Sequence, residues 1–475
     1  MPPRRSSAKV AAAPAVVSTG AVRTKTLLLV SGARVMVGVA RMAFSFFVVA
    51  LATEFDWSTA DQGRVKAAFA FGYLFTQVPG GMAGDRIGNK IFQVLALISC
   101  AVATMVIPTL IATAGAESSP WIVEVACTLM GFCCGAQHPT MTALMKKWCL
   151  PAEKNWVASM ESLATVSGSL INCLFVASLT ASLGWRNAMY CVSALNWLAL
   201  AGILVIADAP TASGGWMPLS AEEAALYRAE GMLADEPAGG SDSSAKKGEK
   251  SAAAAKPGGS AVALFTSAGT WVLILSHAMY NFARYTFEQE MPKFYGEQLG
   301  AEKEAGLHLS TLHIAAFAFS LLAKGVVDSL GLSPIGLRRA AIVGGYGVLA
   351  AGCAVLAFMA TRETLPSAHM FTLCLDVLWM GLTVQMFGHM SNYYDLTSTN
   401  TGLLMGVGNT FATMPSYFSP LFVANILQSS ADTNQAWAQV FGAIGGFAML
   451  TGLLYSVFVG VDVVDEPLNS KAKKA

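Results

Sequence analysis

The chain is a succession of apolar runs, each about as long as a bilayer is thick. A helix needs about 20 mostly apolar residues to cross the hydrocarbon core, and runs of that length fall near 27–53, 62–84, 91–114, 121–146, 156–182 and 186–207. They resume near 268–292, 308–327, 339–360, 368–392, 402–427 and 437–460. Between the two sets, 208–262 is rich in Gly, Ser, Ala and Pro and contains SSAKKGEKSAAAAKPGGS. That composition describes a disordered linker, with one short amphipathic helix at SAEEAALYRAEGM. The pattern predicts an all-α membrane protein of twelve transmembrane helices. They form two pseudo-symmetric six-helix bundles, 27–207 and 263–460, flanked by tails 1–26 and 461–475.

The polar loops orient the bundles. The N-terminal tail, the DRIGNK loop, the loop with Lys146, Lys147 and Lys154, the linker, Arg338-Arg339 and the C-terminal KAKK fall on one side. Glu54, Asp56, Asp61, Glu117, Glu297, Glu302, Glu304 and Asp432 fall on the other. Basic loops stay cytosolic, so both termini and the linker face the cytosol. The first 26 residues, with Arg4, Arg5, Lys9, Arg23 and Lys25 and no acid, fit a cytosolic tail or a transit peptide. KAKKA has dilysine-type spacing, but as a short basic tail it reads first as positive-inside charge. These features fit the plasma membrane or an organelle membrane.

Composition agrees with lipid as the solvent: only 12% of the 475 residues are charged, against about 25% in soluble proteins. A net charge of +1 gives no reason to expect nucleic acid. The nine cysteines show no CxxC or Cys/His spacing, so no metal site is expected. HExxH and a nucleophile elbow are absent, which argues against an enzyme. No repeated filter sequence suggests a channel.

What remains is chemistry placed inside the spans. Arg41, in VGVARMAFSFF, stands near the middle of the first span, where a charge costs about 2.5–3.5 kcal/mol on insertion scales. Arg284, in YNFARYTFEQEMP, lies at a similar depth of the seventh. First and seventh spans are equivalent elements of two repeats, and such repeats face each other across a central cavity. Two guanidiniums meeting there would clamp an anion, since the planar fork suits phosphate or carboxylate. The alternative for Arg284 is a structural ion pair with Glu288, one turn away, or with Glu290. Arg34 either shares the face of Arg41 or reaches for the cytosolic surface.

Neutral and further charged groups extend the candidate site: Lys66, Tyr73 and Gln77 in the second span, Tyr280 and Asn281 in the seventh, Asn392 and Tyr393 at the end of the tenth. Lys66 adds positive potential or lies in the interface; the neutral groups orient an anion or glue helices. Coupling to H+ or Na+ would need carboxylates or imidazoles inside spans, and Glu161, Asp376, Glu288, Glu290 and His389 are the candidates. No other cofactor is expected.

GDRIG (84–88) closes the second span and VDSLG (327–331) the eighth. The first copy, GGMAGDRIGNK, resembles the loop signature of the major facilitator superfamily. The resemblance implies a conformational latch at Gly81, Asp85, Arg86, Gly88 and Lys90, echoed by Asp328. FGYLFTQVPGGMAGDRIGNK (71–90), QHPTMTALMKKWCLPAEKN (137–155) and GHMSNYYDLTSTNTGLLMGVGN (388–409) further resemble the anion:cation symporters, which include vesicular glutamate, sialic acid and plant phosphate transporters. In that family Arg41 matches the first-helix arginine, and Lys66 stands where vesicular members have histidine. The family's fourth-helix Arg and Glu fall at Cys127 and Cys134, and its seventh-helix arginine at Tyr280. Arg284, eight residues before Pro292, is instead similar to the organophosphate:phosphate antiporters. The expectation is a secondary active transporter of inorganic phosphate or an organic phosphate or carboxylate, working by alternating access as a monomer in the bilayer. The alternatives are an organophosphate:phosphate exchanger and a non-transporting nutrient receptor on the same fold.

Overall fold

The computed structural model describes residues 22–115, 119–150, 154–212, 216–233, 261–329, 331–362, 364–397 and 400–465, and these are helical with no strand among them. Seven helices are long and apolar enough to cross a membrane: Val22–Phe55, Lys90–Ala114, Ser119–Trp148, Leu163–Val205, Pro334–Ala360, Ala368–Asp395 and Thr433–Phe458. Leu163–Val205 is two spans, because the backbone breaks at Gly184 (φ +78°), a conformation that favours glycine. The remaining spans are Thr59–Ile87, Ala268–Glu297, Ala305–Ser329, and Thr401–Thr413 continued by Pro415–Ser429. The second is less apolar, with Gly, Pro and Gln in its later half and Asp61, Arg64 and Lys66 in its first turns, and the seventh carries Arg284, Glu288, Glu290 and Lys293. Of these, Lys66 and Arg284 line the cavities described below.

Each half has its own apolar core: one is built from spans one to six, and the other from spans seven to twelve with Phe46, Cys173 and Ala177 of the first half packed into it. Small residues let backbones touch within each half, the common device of membrane helix packing. A methyl added at Gly72 or Gly131 would land on the backbone of the fourth or the second span, respectively. Gly345 and Gly381 do the same for the ninth and tenth. Between the halves, Gly63 lies on Pro420 and Ala424, and Gly306 on Cys173 and Ala177. In the fifth span a π turn, Asn172–Val176, sends the Asn172 amide to the Met42 carbonyl at 3.1 Å. The fifth span is thereby tied to the first at the residue after Arg41.

The amphipathic stretch after the sixth span is the helix Ala221–Ala229, begun by a Ser220/Glu223 capping box. It is docked, not loose. Tyr227 is buried and donates to the Trp148 carbonyl at 2.6 Å. The Glu223 carboxylate also accepts from the backbone N–H of Val22 (3.3 Å) and Arg23 (3.0 Å). One carboxylate thus caps two helix N-termini, satisfying donors that a helix start leaves unpaired. The rest of the expected linker, 234–260, lies outside the described residues.

Candidate functional site

The site is organised around Arg41. Its guanidinium carbon lies 5.1 Å from the ring of Phe69 and 5.9 Å from that of Tyr73, one turn apart on the second span. From the other half, the Tyr285 ring lies 5.0 Å away. Ring faces attract a guanidinium without neutralising it. Among the described residues Arg41 has no hydrogen-bond or ion-pair partner. The charge is therefore held in place by aromatic walls and left open to whatever enters.

It faces two cavities. The larger, about 70 Å³, is lined by Arg34, Arg41, Tyr73, Gln137, Arg284 and Tyr285, together with small groups of the first and fifth spans. Arg34 does not reach for the surface. It donates to Gln137 Oε1 at 2.8 Å, and Gln137 donates to Gln93 Oε1 at 3.1 Å, so a chain of amides aims Arg34 at the cavity. The smaller cavity, about 20 Å³, lies between Arg41 and Lys66 and is completed by Ser45, Cys127, Gln289 and Ser416.

Arg284 shares the larger cavity with Arg41, and Tyr285 stands between them, its ring 6.0 Å from the Arg284 guanidinium carbon. Arg284 also donates to Glu288 at 3.0 Å. The ion-pair alternative raised by the sequence is therefore present in the geometry, and the arginine still lines the cavity. Lys66 is paired as well: its ammonium is 2.7 Å from Glu290, with both side chains buried. That bond joins the second span of one half to the seventh of the other.

Several candidates lie elsewhere. Asn281 spends its amide on the Ala412 carbonyl at 2.7 Å, tying the seventh span to the eleventh. Asn392 donates to the Gly460 carbonyl at 2.8 Å and accepts from Tyr455. The Tyr393 hydroxyl is 3.1 Å from His277 Nδ1, and the Tyr280 hydroxyl points to the Met386 sulfur. These groups hold the second half together and line neither cavity. Gln77 is buried one turn from Tyr73 with its carbonyl oxygen unpartnered. Of the coupling candidates, Asp376 accepts from Thr311 at 2.8 Å, and His389 stacks on His277 at 5.2 Å, its ring nitrogens unpartnered. The side chains of Glu161, Asp85 and Asp328 lie outside the described set.

The signature loop closes one half on itself. Gly88 adopts φ +103°, and its neighbour Lys90 donates from Nζ to the carbonyls of Leu204 (2.8 Å) and Ile206 (2.6 Å) at the end of the sixth span. The Lys90 N–H and the Lys147 ammonium both bind Asp208. Burial would raise the Asp208 carboxyl, but these two donors outweigh it and hold it below its ordinary value. Gly81 packs against Pro139, and Arg86 is exposed.

Twelve spans in two bundles around a buried, cation-lined cavity define a solute carrier, not an enzyme. Residues 30–420 match the family model of the Major Facilitator Superfamily, and the chain belongs to that family. It is similar to sialin of Homo sapiens, 23% identical with 88% of this chain and 79% of sialin covered. It is also similar to the sodium-dependent phosphate transport protein 1, chloroplastic, of Arabidopsis thaliana, 23% identical with 92% and 80% covered. Among solved structures the D-xylose-proton symporter superposes with a TM-score of 0.68 at 14% identity, covering 92% of this chain and 98% of that one.

Proposed function

We propose that the protein is a secondary active transporter of a small anion, inorganic phosphate or an organic phosphate or carboxylate, moved by alternating access. The observation that carries this reading is Arg41, a cation at the centre of a bundle interface, walled by three rings and without an acid partner among the described residues. A buried charge is expensive unless paired, so the site is completed by an anion from solution. Arg284 lines the same cavity and supplies a second fork, and Arg34 extends the positive wall toward the cytosol. The names of relatives that include a phosphate transport protein support the sign of the solute.

A second reading, organophosphate:phosphate exchange, is favoured by the placement of two arginines on one cavity, one of them in a helix that contains Pro292. Proteoliposome uptake separates the two. Labelled phosphate is offered with and without an inward H+ or Na+ gradient, then with phosphate preloaded inside. Acceleration by a gradient supports symport, whereas dependence on internal phosphate supports exchange. Glutamate is tested in the same format for a carboxylate substrate. Wild-type rates that persist in Arg41→Lys would overturn the anion site, because an ammonium lacks the planar fork.

A further inference from the structure

We propose that Lys66 is a second anion-binding group, used when the outer end of the carrier is open, and that Glu290 is the tethered carboxylate that takes the anion's place when that end is closed. The proposal rests on the anion-carrier reading above. Among the described residues, the hydrogen bonds and ion pairs that join the two halves all lie in one cluster. Lys66 binds Glu290 at 2.7 Å, and Lys293 donates to Gln62 at 2.9 Å and to Thr59 at 3.5 Å. The cluster sits toward the end of the molecule that carries Glu54, Asp56 and Glu297, opposite the basic loops.

Its charge balance is uneven. The Lys66 and Glu290 side chains are 2% and 4% exposed, and that of Lys293 is 4% exposed. Two buried ammoniums therefore face one buried carboxylate, because Glu297, 3.6 Å from Lys293, is 43% exposed. The second oxygen of Glu290 has no partner. Arg41 faces this region from the first span, across the small cavity that it shares with Lys66; Ser416 of the eleventh span and Gln289 of the seventh add only neutral groups.

Opening the outer end moves Glu290 away with the second half and leaves Lys66 on the first, beside Arg41. A bare ammonium next to a guanidinium in a low-dielectric vestibule attracts a carboxylate or phosphate oxyanion. Closing the end restores Glu290 to Lys66 and drives the solute inward, so the internal carboxylate and the solute use Lys66 by turns.

Cys127 lines the same cavity and is buried, which makes it a native reporter. Full-length protein is reconstituted, and vesicles with the cytosolic side outward are removed by capture on a C-terminal tag. Outer-face labelling of Cys127 is then followed with the anionic reagent sulfonatoethyl methanethiosulfonate and its cationic trimethylammonium counterpart, Cys127→Ala serving as the blank. Glu290→Gln is expected to speed labelling at least tenfold, and the reversed pair Lys66→Glu/Glu290→Lys to return it toward the slow wild-type rate. In Glu290→Gln the anionic reagent is favoured, and adding Lys66→Gln lowers the anionic-to-cationic ratio at least tenfold. Unchanged labelling in both Glu290→Gln and Lys66→Gln would overturn the closure. A ratio that ignores Lys66 would overturn the anion site. Uptake is not the readout, so this test fails or succeeds independently of the transport reading.

Discussion

The two halves offer their arginines in different electrical states. Arg41 and Arg284 come from equivalent spans and face one cavity, yet Arg284 carries its own counter-ion one turn away, while Arg41 is met only by rings. An i, i+4 carboxylate both fixes and neutralises a guanidinium; aromatic faces fix it and leave the charge available. On the proposed reading, the asymmetry assigns the larger part of anion affinity to the first half. The second half contributes a guanidinium whose charge is already half spent.

The largest effect should come from Arg41. Arg41→Lys is expected to reduce uptake by about 100-fold, the scale of losing one partner of a buried, hydrogen-bonded charge pair, and Arg284→Lys by clearly less. Equal losses would erase the asymmetry. Glu288→Gln sharpens the comparison in the opposite direction, since it frees Arg284. Apparent KM should fall several-fold and turnover should fall with it, because the anion is then held by two open cations; a rise in KM would show instead that Glu288 matters for aiming Arg284. Tyr285→Leu removes a ring that both guanidiniums approach and should weaken binding about fivefold, near the 1 kcal/mol of a partly exposed cation–π contact.

The smallest effect concerns the ends that carry the basic loops, where the halves also differ. Asp208 gathers Lys90 and Lys147 in the first half, and Asp465 accepts from Thr397 and Asn400 in the second. Because the folded Asp208 pKa is depressed, its stabilisation is present above the unfolded carboxylate value and is lost as pH falls through the folded one. Asp208→Asn should lower Tm by a few degrees at pH 7, and the gap should close in acid. A gap that persists in acid would count against a charge effect.

The sequence made the spans legible because lipid imposes a length and a polarity that few other structures share. Arg41 and Arg284 were legible as intruders in that pattern, and Glu288 as a neighbour at helical spacing. The partner of Lys66 was not, since Glu290 is 224 residues away and only the meeting of the halves joins them. Tyr285 and Gln137 were hidden for another reason: nothing in the periodicity separates an aromatic or amide on the cavity face from one on a packing face. Asn281, Asn392 and Tyr393 show the converse, polar side chains whose bonding capacity is taken by backbone carbonyls and neighbouring side chains.

The double cap at Glu223 changes where the first half ends. A fragment cut at the last residue of the sixth span would expose the first helix turn at Val22 and Arg23 and leave the Trp148 carbonyl without Tyr227. Cut after residue 233, the same half keeps its own lid. For anyone dividing the gene or inserting a reporter, the natural seam lies beyond Leu233, because the helix Ala221–Ala229 belongs to the first bundle.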